Sequence, residues 1–449
     1  MLLFGTQRIL DNGHLEVGGC DAVELARAFG TPLYVVDEEL LRTRMREYLA
    51  AFRGLYPKVA IAFAGKAFLC TAMARIVEQE GLNLDVASAG ELHTALAAQF
   101  PAERISLHGN NKSIAEIELA LDSGVGRIIV DNLLELERIS AAAGARGVVP
   151  HLLIRCAPGI DPHTHRRIQT GQDDTKFGLN IRSGAAMEAI RKCQDDSALH
   201  FAGIHCHIGS QLMDASCHEQ AIEIMCAFLH EIRESTGVEV EELNLGGGLG
   251  IRYLEEQNPV SVEEYARAIV TAVRGGLARY GLKEPMLGQE PGRSIAGQAG
   301  LTLYEIGAVK KVPISEAPGY RSYVNIDGGM SDNPRPQLYD AVYHAFVANR
   351  ANEPADTSVR VAGKHCETDI LIQETRIQAP ETGDILAVQG TGAYNYAMAS
   401  NYNRIPRPAV VLARDGSADL IVRRETLDDL IAQDIIPERL AKTPAGNTN

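Results

Sequence analysis

The sequence predicts an α/β protein: a closed (β/α)8, TIM-like barrel accompanied by a discontinuous domain of antiparallel β-sheet. Three observations carry that prediction. From Val59 to Gln289 short apolar runs alternate with helical stretches, each run arriving about 20 to 45 residues after the last, the rhythm of βα units. Polar and ionisable residues gather where those runs end, the place where a barrel of this kind carries its active site. After about Ile295 the runs shorten, and turns rich in Gly, Asp and Pro separate them, as in antiparallel sheet.

The first thirty residues contain Gly18-Gly19 and the strand-like Pro32–Val36, and precede any regular repeat. They are expected to join the second domain. Barrel strands are read at Val59–Ala64, Asn83–Ala87, Arg104–Leu107, Arg127–Val130, His151–Arg155, Phe201–His205, Val240–Leu245 and Met286–Gln289. An open doubly wound sheet is the alternative, but eight evenly spaced units over about 240 residues favour closure. Second-domain strands are read at Leu301–Val309, Tyr323–Ile326, Val359–Val361, Ile370–Ile372, Asp384–Val388, Ala409–Ala413 and Asp419–Val422. The expected domains are thus residues 35–296 for the barrel, and 1–34 with 297–449 for the β domain, with the tail from Thr443 frayed.

Composition excludes several classes. With 449 residues, 45% hydrophobic and 22% charged, the chain has ample material for a folded core. A net charge of −15 without any basic run argues against nucleic acid or an anionic membrane surface as partner. The apolar runs are strand-sized, well short of the roughly 20 residues of a membrane helix, and the N-terminus lacks a secretory apolar core. Eight scattered cysteines without a C-x-x-C pair fit reduced thiols in the cytoplasm and indicate no metal site.

The strand ends supply the chemistry. Val59–Ala64 leads into Gly65-Lys66-Ala67, which places a lone lysine at a strand mouth. Burial there would lower the amine pKa and suit it to Schiff-base formation; a lysine that snorkels to water is the alternative. Gly246-Gly247-Gly248 and Gly250, after a strand and before a helical stretch, leave converging backbone N–H groups unobstructed, a nest for phosphate. Ser210 is placed to add a hydroxyl to the same phosphate. His205 and His207 lie two apart, so an extended backbone sends them to one face; a core role is the default for either, and stacking on a flat cofactor ring is the reading preferred for His207. Asp85, His108, Asp131 and Arg155 complete the polar rim. Glu290-Pro291-Gly292-Arg293 sets an acid and a guanidinium beyond the last strand. A carboxylate facing a pyridine nitrogen would hold it protonated, and arginine suits bidentate capture of a substrate carboxylate. The β domain adds Arg335, Tyr339, Cys366, Glu367 and Tyr394 in loop-like segments.

With these segments in order, the chain resembles the fold type III pyridoxal phosphate-dependent decarboxylases from about Pro32 to Asp429. The resemblance is carried by Phe63-Ala-Gly-Lys66, Leu84-Asp-Val-Ala-Ser-Ala-Gly-Glu91, His108-Gly-Asn-Asn-Lys-Ser113, Gly203-Ile-His-Cys-His-Ile-Gly-Ser-Gln211, Gly246–Gly248, Glu290–Arg293, Cys366-Glu367, Gly392-Ala-Tyr394 and Asn401–Arg404. Asp161–His165, Thr175–Gly178 and Asn401–Arg404 lean toward the diaminopimelate branch rather than the ornithine one. Phe63 stands where many relatives have tyrosine, and Asn244 where an acid is common.

The resemblance implies pyridoxal 5'-phosphate as cofactor, joined covalently to Lys66, with His207 on its ring and Glu290 at its nitrogen. It assigns Asp85, Ser210, Gly246, Gly247, Gly248, Gly292, Arg293 and Tyr394 to cofactor binding. Arg293, Arg335, Tyr339, Glu367 and Tyr394 would bind substrate, and Cys366 would return a proton to the α-carbon. Cys366 and Glu367 would come from the partner of a homodimer with shared active sites. The implied reaction converts meso-2,6-diaminopimelate to L-lysine and carbon dioxide, the last step of lysine biosynthesis. The alternatives are a decarboxylase of ornithine, arginine or carboxynorspermidine, a racemase, or a non-catalytic cofactor-binding homologue.

Overall fold

Eight parallel strands close on themselves. In the computed structural model, which describes residues 2–160, 174–314 and 318–441, they run in the order His151–Ala157, His200–His205, Glu242–Asn244, Met286–Gln289, Val59–Ala64, Asn83–Val86, Ile105–Leu107 and Arg127–Val130, the last pairing back onto the first. All eight expected strands are present, with ends displaced by a residue or two. The open-sheet alternative falls, since Ile128, Ile129 and Val130 pair with Leu152, Leu153 and Ile154 across the seam.

Strand alternation explains the two-sided burial. Ile128, Leu152 and Ile154 face the helices and join the main core, whereas Ile129, Leu153 and Ala202 point the other way and form a separate cluster. That inner cluster plugs the barrel, so the strand ends above it open onto a floor rather than a channel.

Local chemistry fixes the helix ends. Ser113 and Glu116 form a reciprocal capping box at the start of Ile114–Ser123, and Gly124 closes it in the left-handed region. Ser261 and Glu264 do the same for Val262–Arg279. Between the first of these helices and Leu133–Arg146, the buried Lys112 ammonium donates to Gly109 O at 2.8 Å, Ile129 O at 2.6 Å and Glu135 Oε1 at 2.8 Å. All three of its protons are used. The loop carrying His108 is thereby tied to the barrel wall.

The second sheet runs Ile370–Ile377, Thr357–Ala362, Tyr320–Ile326, Gly300–Pro313, Leu33–Asp37, Ala409–Arg414 and Ser417–Val422. Most pairings are antiparallel, but Leu33–Asp37 pairs parallel with Ala409–Arg414, as does Tyr320–Ile326 with Thr357–Ala362. Residue 35, the expected start of the barrel, thus falls inside a strand of the second sheet. Gly300–Pro313 is long enough to pair with three neighbours, Tyr320–Ile326, Ile385–Gln389 and Leu33–Asp37. A short strand, Ala345–Val347, pairs with Ile385–Gln389 and was not expected. The second domain meets the barrel mouth where Tyr394 N–H donates to Ala67 O at 2.8 Å.

Candidate active site

A cavity of about 350 Å3 opens at the C-terminal ends of the barrel strands, and residues of the second domain close one side of it. Lys66 sits in the single turn Gly65–Ala67 that follows Val59–Ala64. A side chain at position 65 would place its Cβ 2.7 Å from Asp85 O, so only glycine lets the turn fold against the neighbouring strand. The turn swings Lys66 out of the strand, and its side chain is exposed to the cavity. The desolvated lysine expected from the strand pattern is therefore not seen. Gly65 and Ala67 of the turn are buried like the strand, and only the Lys66 side chain between them is exposed.

On the cavity floor stands a group of ionisable side chains. His205 Nε2 lies 3.1 Å from Glu290 Oε2, and His108 Nε2 lies 3.4 Å from Glu290 Oε1 and 3.7 Å from Asp85 Oδ1. Burial pushes the Glu290 carboxyl up, but the His205 and His108 rings outweigh it and hold its pKa well below the usual range. Burial also opposes charge on His108, yet Glu290 and Asp85 prevail and raise it to about 9. Asp85 moves the other way: burial and Glu290 raise its carboxyl to about 7. Burial lowers His205 to about 4 and takes His207 well below its ordinary value, with Lys66 and Arg155 adding to the effect on His207. The floor thus holds one charged imidazole, two neutral ones and an ionised glutamate. The reading of His205 as a core histidine captures its burial but misses its hydrogen bond to Glu290.

The glycine loop forms the adjoining wall. A Cβ at position 247 would lie 2.2 Å from Glu290 O, and one at 248, where φ is +138°, would lie 2.8 Å from Gly209 O. Asn244 Oδ1 accepts from Gly246 N–H at 2.9 Å, so the residue standing in place of a common acid fastens the turn. Gly247 and Gly248 line the cavity; Gly246 lies behind them.

Two buried guanidiniums stand at the far side. Arg293 donates through Nε and Nη2 to Ser210 Oγ at 3.1 and 3.0 Å, and through Nη1 to Tyr253 Oη at 2.7 Å. Arg335 Nη1 donates to Tyr253 Oη at 3.0 Å and Tyr343 Oη at 2.7 Å. The guanidinium of Arg293 also lies over the Tyr394 ring, 4.8 Å from its centre, and Tyr394 adopts a positive φ of 62°. Among the described residues neither arginine makes an ion pair with a carboxylate.

Lys66, Asp85, His207, Ser210, Gly247, Gly248, Glu290, Gly292, Arg293, Arg335, Tyr339 and Tyr394 all line this cavity. Cys366 and Glu367 do not: both are exposed on a loop outside it. That loop is well held. Asp369 accepts from Met330 N–H at 2.8 Å and lies 2.6 Å from His365 Nδ1, Asn403 accepts from Cys366 N–H at 2.9 Å, and the Tyr402 hydroxyl donates to Glu367 at 2.6 Å. Asp161–His165, which leaned toward the diaminopimelate branch, lies outside the described residues. Sequence reasoning missed Tyr253 and Tyr343, whose only signal is their place beyond the glycine loop and beyond Tyr339.

The donor set fits pyridoxal phosphate. Both Asp85 oxygens and Glu290 Oε1 are buried without a hydrogen bond, which leaves an acceptor for a protonated pyridine nitrogen, and the glycine wall leaves room for a phosphate.

Residues 41–297 match the family described as pyridoxal-dependent decarboxylase, pyridoxal binding domain. The chain is 47% identical over 436 residues to a diaminopimelate decarboxylase of Bacillus subtilis (strain 168), covering 97% of this chain and 98% of that one. It is 44% identical over 429 residues to one of Mycobacterium tuberculosis (strain ATCC 25618 / H37Rv), covering 94% and 95%. A crystal structure of diaminopimelate decarboxylase from M. jannaschii in complex with L-lysine is similar at a TM-score of 0.89 and 35% identity, covering 97% and 99%.

Proposed function

The chain belongs to the pyridoxal-dependent decarboxylase family and catalyses decarboxylation of diaminopimelate, and we propose the following roles for its residues. Pyridoxal phosphate, when bound, supplies the sink for the electron pair left by departing carbon dioxide. Lys66 would hold the cofactor aldehyde covalently, and its exposure to the cavity leaves its amine within reach of cofactor and substrate. His207, neutral through burial, would pack against the ring without adding a charge beside it. Glu290, kept ionised by the charge on His108 and its hydrogen bond with neutral His205, would face the ring nitrogen and keep it protonated. The wall at Gly247 and Gly248, with the Ser210 hydroxyl, would take the phosphate, while Gly246, its N–H held by Asn244, shapes the turn behind them. Asp85, Gly292 and Tyr394 complete the cofactor's surroundings.

The observation that carries the substrate assignment is the pair Arg293 and Arg335. Two guanidiniums, 4% and 5% exposed and without a carboxylate partner among the described residues, call for an anion from outside. The distal carboxylate of meso-2,6-diaminopimelate meets that need, whereas ornithine and arginine carry no second carboxylate. Tyr339 lines the same region. We further infer a homodimer in which Cys366 of the partner subunit returns the proton to the α-carbon and Glu367 of the partner subunit pairs with the distal ammonium. The exposure of both residues on a fixed loop outside their own cavity supports that reading. Eight unpaired thiols suit a reducing, cytoplasmic setting. No helix among the described residues is long and apolar enough to cross a membrane.

The test measures carbon dioxide release from meso-2,6-diaminopimelate, ornithine, arginine and lysine, with borohydride trapping of the cofactor. Release from the first alone, with the label on Lys66, is the expected result. A label elsewhere, or equal release from ornithine, overturns the assignment.

A further inference from the structure

Tyr253 touches both arginines, yet it does not line the cavity. Its hydroxyl oxygen accepts from Arg293 Nη1 at 2.7 Å and from Arg335 Nη1 at 3.0 Å, and among the described residues its own proton has no acceptor. The two arginines come from different parts of the chain, Arg293 from the last barrel strand's loop and Arg335 from the second domain. We propose that Tyr253 is a positioning residue that yokes Arg293 to Arg335 across the domain junction and so sets the enzyme's preference for a substrate with a distal carboxylate. The inference rests on the reading of those arginines as the carboxylate grip.

Four observations support it. Firstly, the ring is fixed: it meets Tyr343 edge-on at 5.4 Å and 83°, and the Arg335 guanidinium lies 5.5 Å from its centre. Secondly, the backbone is fixed, because Tyr253 N–H donates to Gln257 Oε1 at 2.8 Å while Gln211 holds Ile251 through both backbone groups. The same short segment begins with the glycine loop, so the phosphate nest and the yoke lie within a few residues of each other along the chain. Thirdly, Arg293 is gripped from both sides, by Ser210 and by Tyr253, which leaves its planar fork one orientation. Fourthly, the charges ask for it. Two buried cations with no carboxylate repel each other, and a shared oxygen acceptor is the group that lets them approach.

The same arrangement has a consequence for protons. The titratable and charged groups facing the Tyr253 phenol are Arg293, Arg335 and Tyr343. Burial raises the phenol, but the two guanidiniums outweigh it and bring it below its ordinary value. A carboxylate arriving between the arginines takes over their neutralisation and drives the phenol back to its protonated form. Ligand binding in the alkaline range therefore takes up a proton at Tyr253.

The experiment uses the holoenzyme and Tyr253→Phe, which keeps the ring and removes the oxygen. The expected result is a KM for meso-2,6-diaminopimelate raised at least about tenfold, as for loss of a hydrogen bond to a charged group, with kcat changed by no more than about twofold. Titration calorimetry of L-lysine, in two buffers of different ionisation enthalpy at alkaline pH, then reads a proton uptake in the wild type that Tyr253→Phe lacks. A fall in kcat alone, or equal proton uptake in both proteins, overturns the inference. Arg335→Met separates it from the reading beneath it. A raised KM in Arg335→Met with an unchanged one in Tyr253→Phe sinks the yoke alone, whereas an unchanged KM in Arg335→Met sinks the carboxylate grip itself. Should Tyr253→Phe fail to fold, absence of proton uptake in the wild type is sufficient to reject the proposal.

Discussion

Replacing His108 with glutamine tests the charge pattern of the cavity floor. The ring is 11% exposed, faces Glu290 and Asp85, and has its pKa raised from 6.5 to about 9. A group whose folded pKa lies above its unfolded value stabilises the protein fully below the unfolded pKa and loses that contribution as pH rises through the folded one. For His108 the window is therefore about pH 6.5 to 9, and at about 1.4 kcal/mol per pH unit the whole contribution is roughly 3 kcal/mol. Between pH 7.5 and 9.5 roughly 2 kcal/mol of it disappears. Asp85, at about 7, has lost its own raised-pKa contribution below that range. The buried thiols of Cys193, Cys206 and Cys226, pushed up to about 12 by burial, respond to alkali in both proteins and cancel in the comparison. With an unfolding entropy of about 0.9 kcal/mol/K for a chain of this length, the difference in Tm between wild type and His108→Gln shrinks by about 2 °C across the window. Differential scanning calorimetry of cofactor-free protein at the two pH values reads it. A difference that stays constant with pH shows that His108 is uncharged, and the account of how Glu290 is kept ionised then fails with it.

The other predictions concern separate parts of the molecule. Lys112→Met leaves Glu135 buried without its cation, which destabilises by about 3 to 5 kcal/mol and lowers Tm by roughly as many degrees in the same calorimeter. Gly248→Ala puts a Cβ against Gly209 O at a φ that disfavours side chains. A cost of about 1 to 3 kcal/mol translates into roughly 5- to 150-fold weaker cofactor affinity, read by fluorescence titration. Lys66→Ala and Cys366→Ala are each inactive alone. Mixed and re-associated, they regain about a quarter of wild-type activity if the site is shared between subunits, since half the dimers are hybrid and each hybrid has one intact site. Recovery of no activity on mixing refutes the shared site.

Much of this protein is legible in one dimension. The spacing of apolar runs sets eight βα units, because a parallel strand needs a crossover of helical length before the next strand. The glycines of 246–248 and the lysine after Val59–Ala64 announce their chemistry by residue type alone. Asp85, Ser210 and Glu290 stand at strand ends, and a barrel brings all strand ends to one mouth. Other features have no local signal. Ala345–Val347 is a three-residue strand that exists only because Ile385–Gln389 offers it an edge.

The barrel, its polar rim and the residue types that suit a pyridoxal phosphate decarboxylase are written into the chain, because periodicity and turn chemistry are local and survive without knowledge of neighbours. How the charges settle depends on the packed fold. Lys66 is turned out into the cavity, His108 is protonated while His205 is not, and Tyr253 joins two arginines from different domains. The reason is physical: a pKa or a hydrogen bond depends on burial and on partners within a few ångströms, and those partners lie tens to hundreds of residues away along the chain.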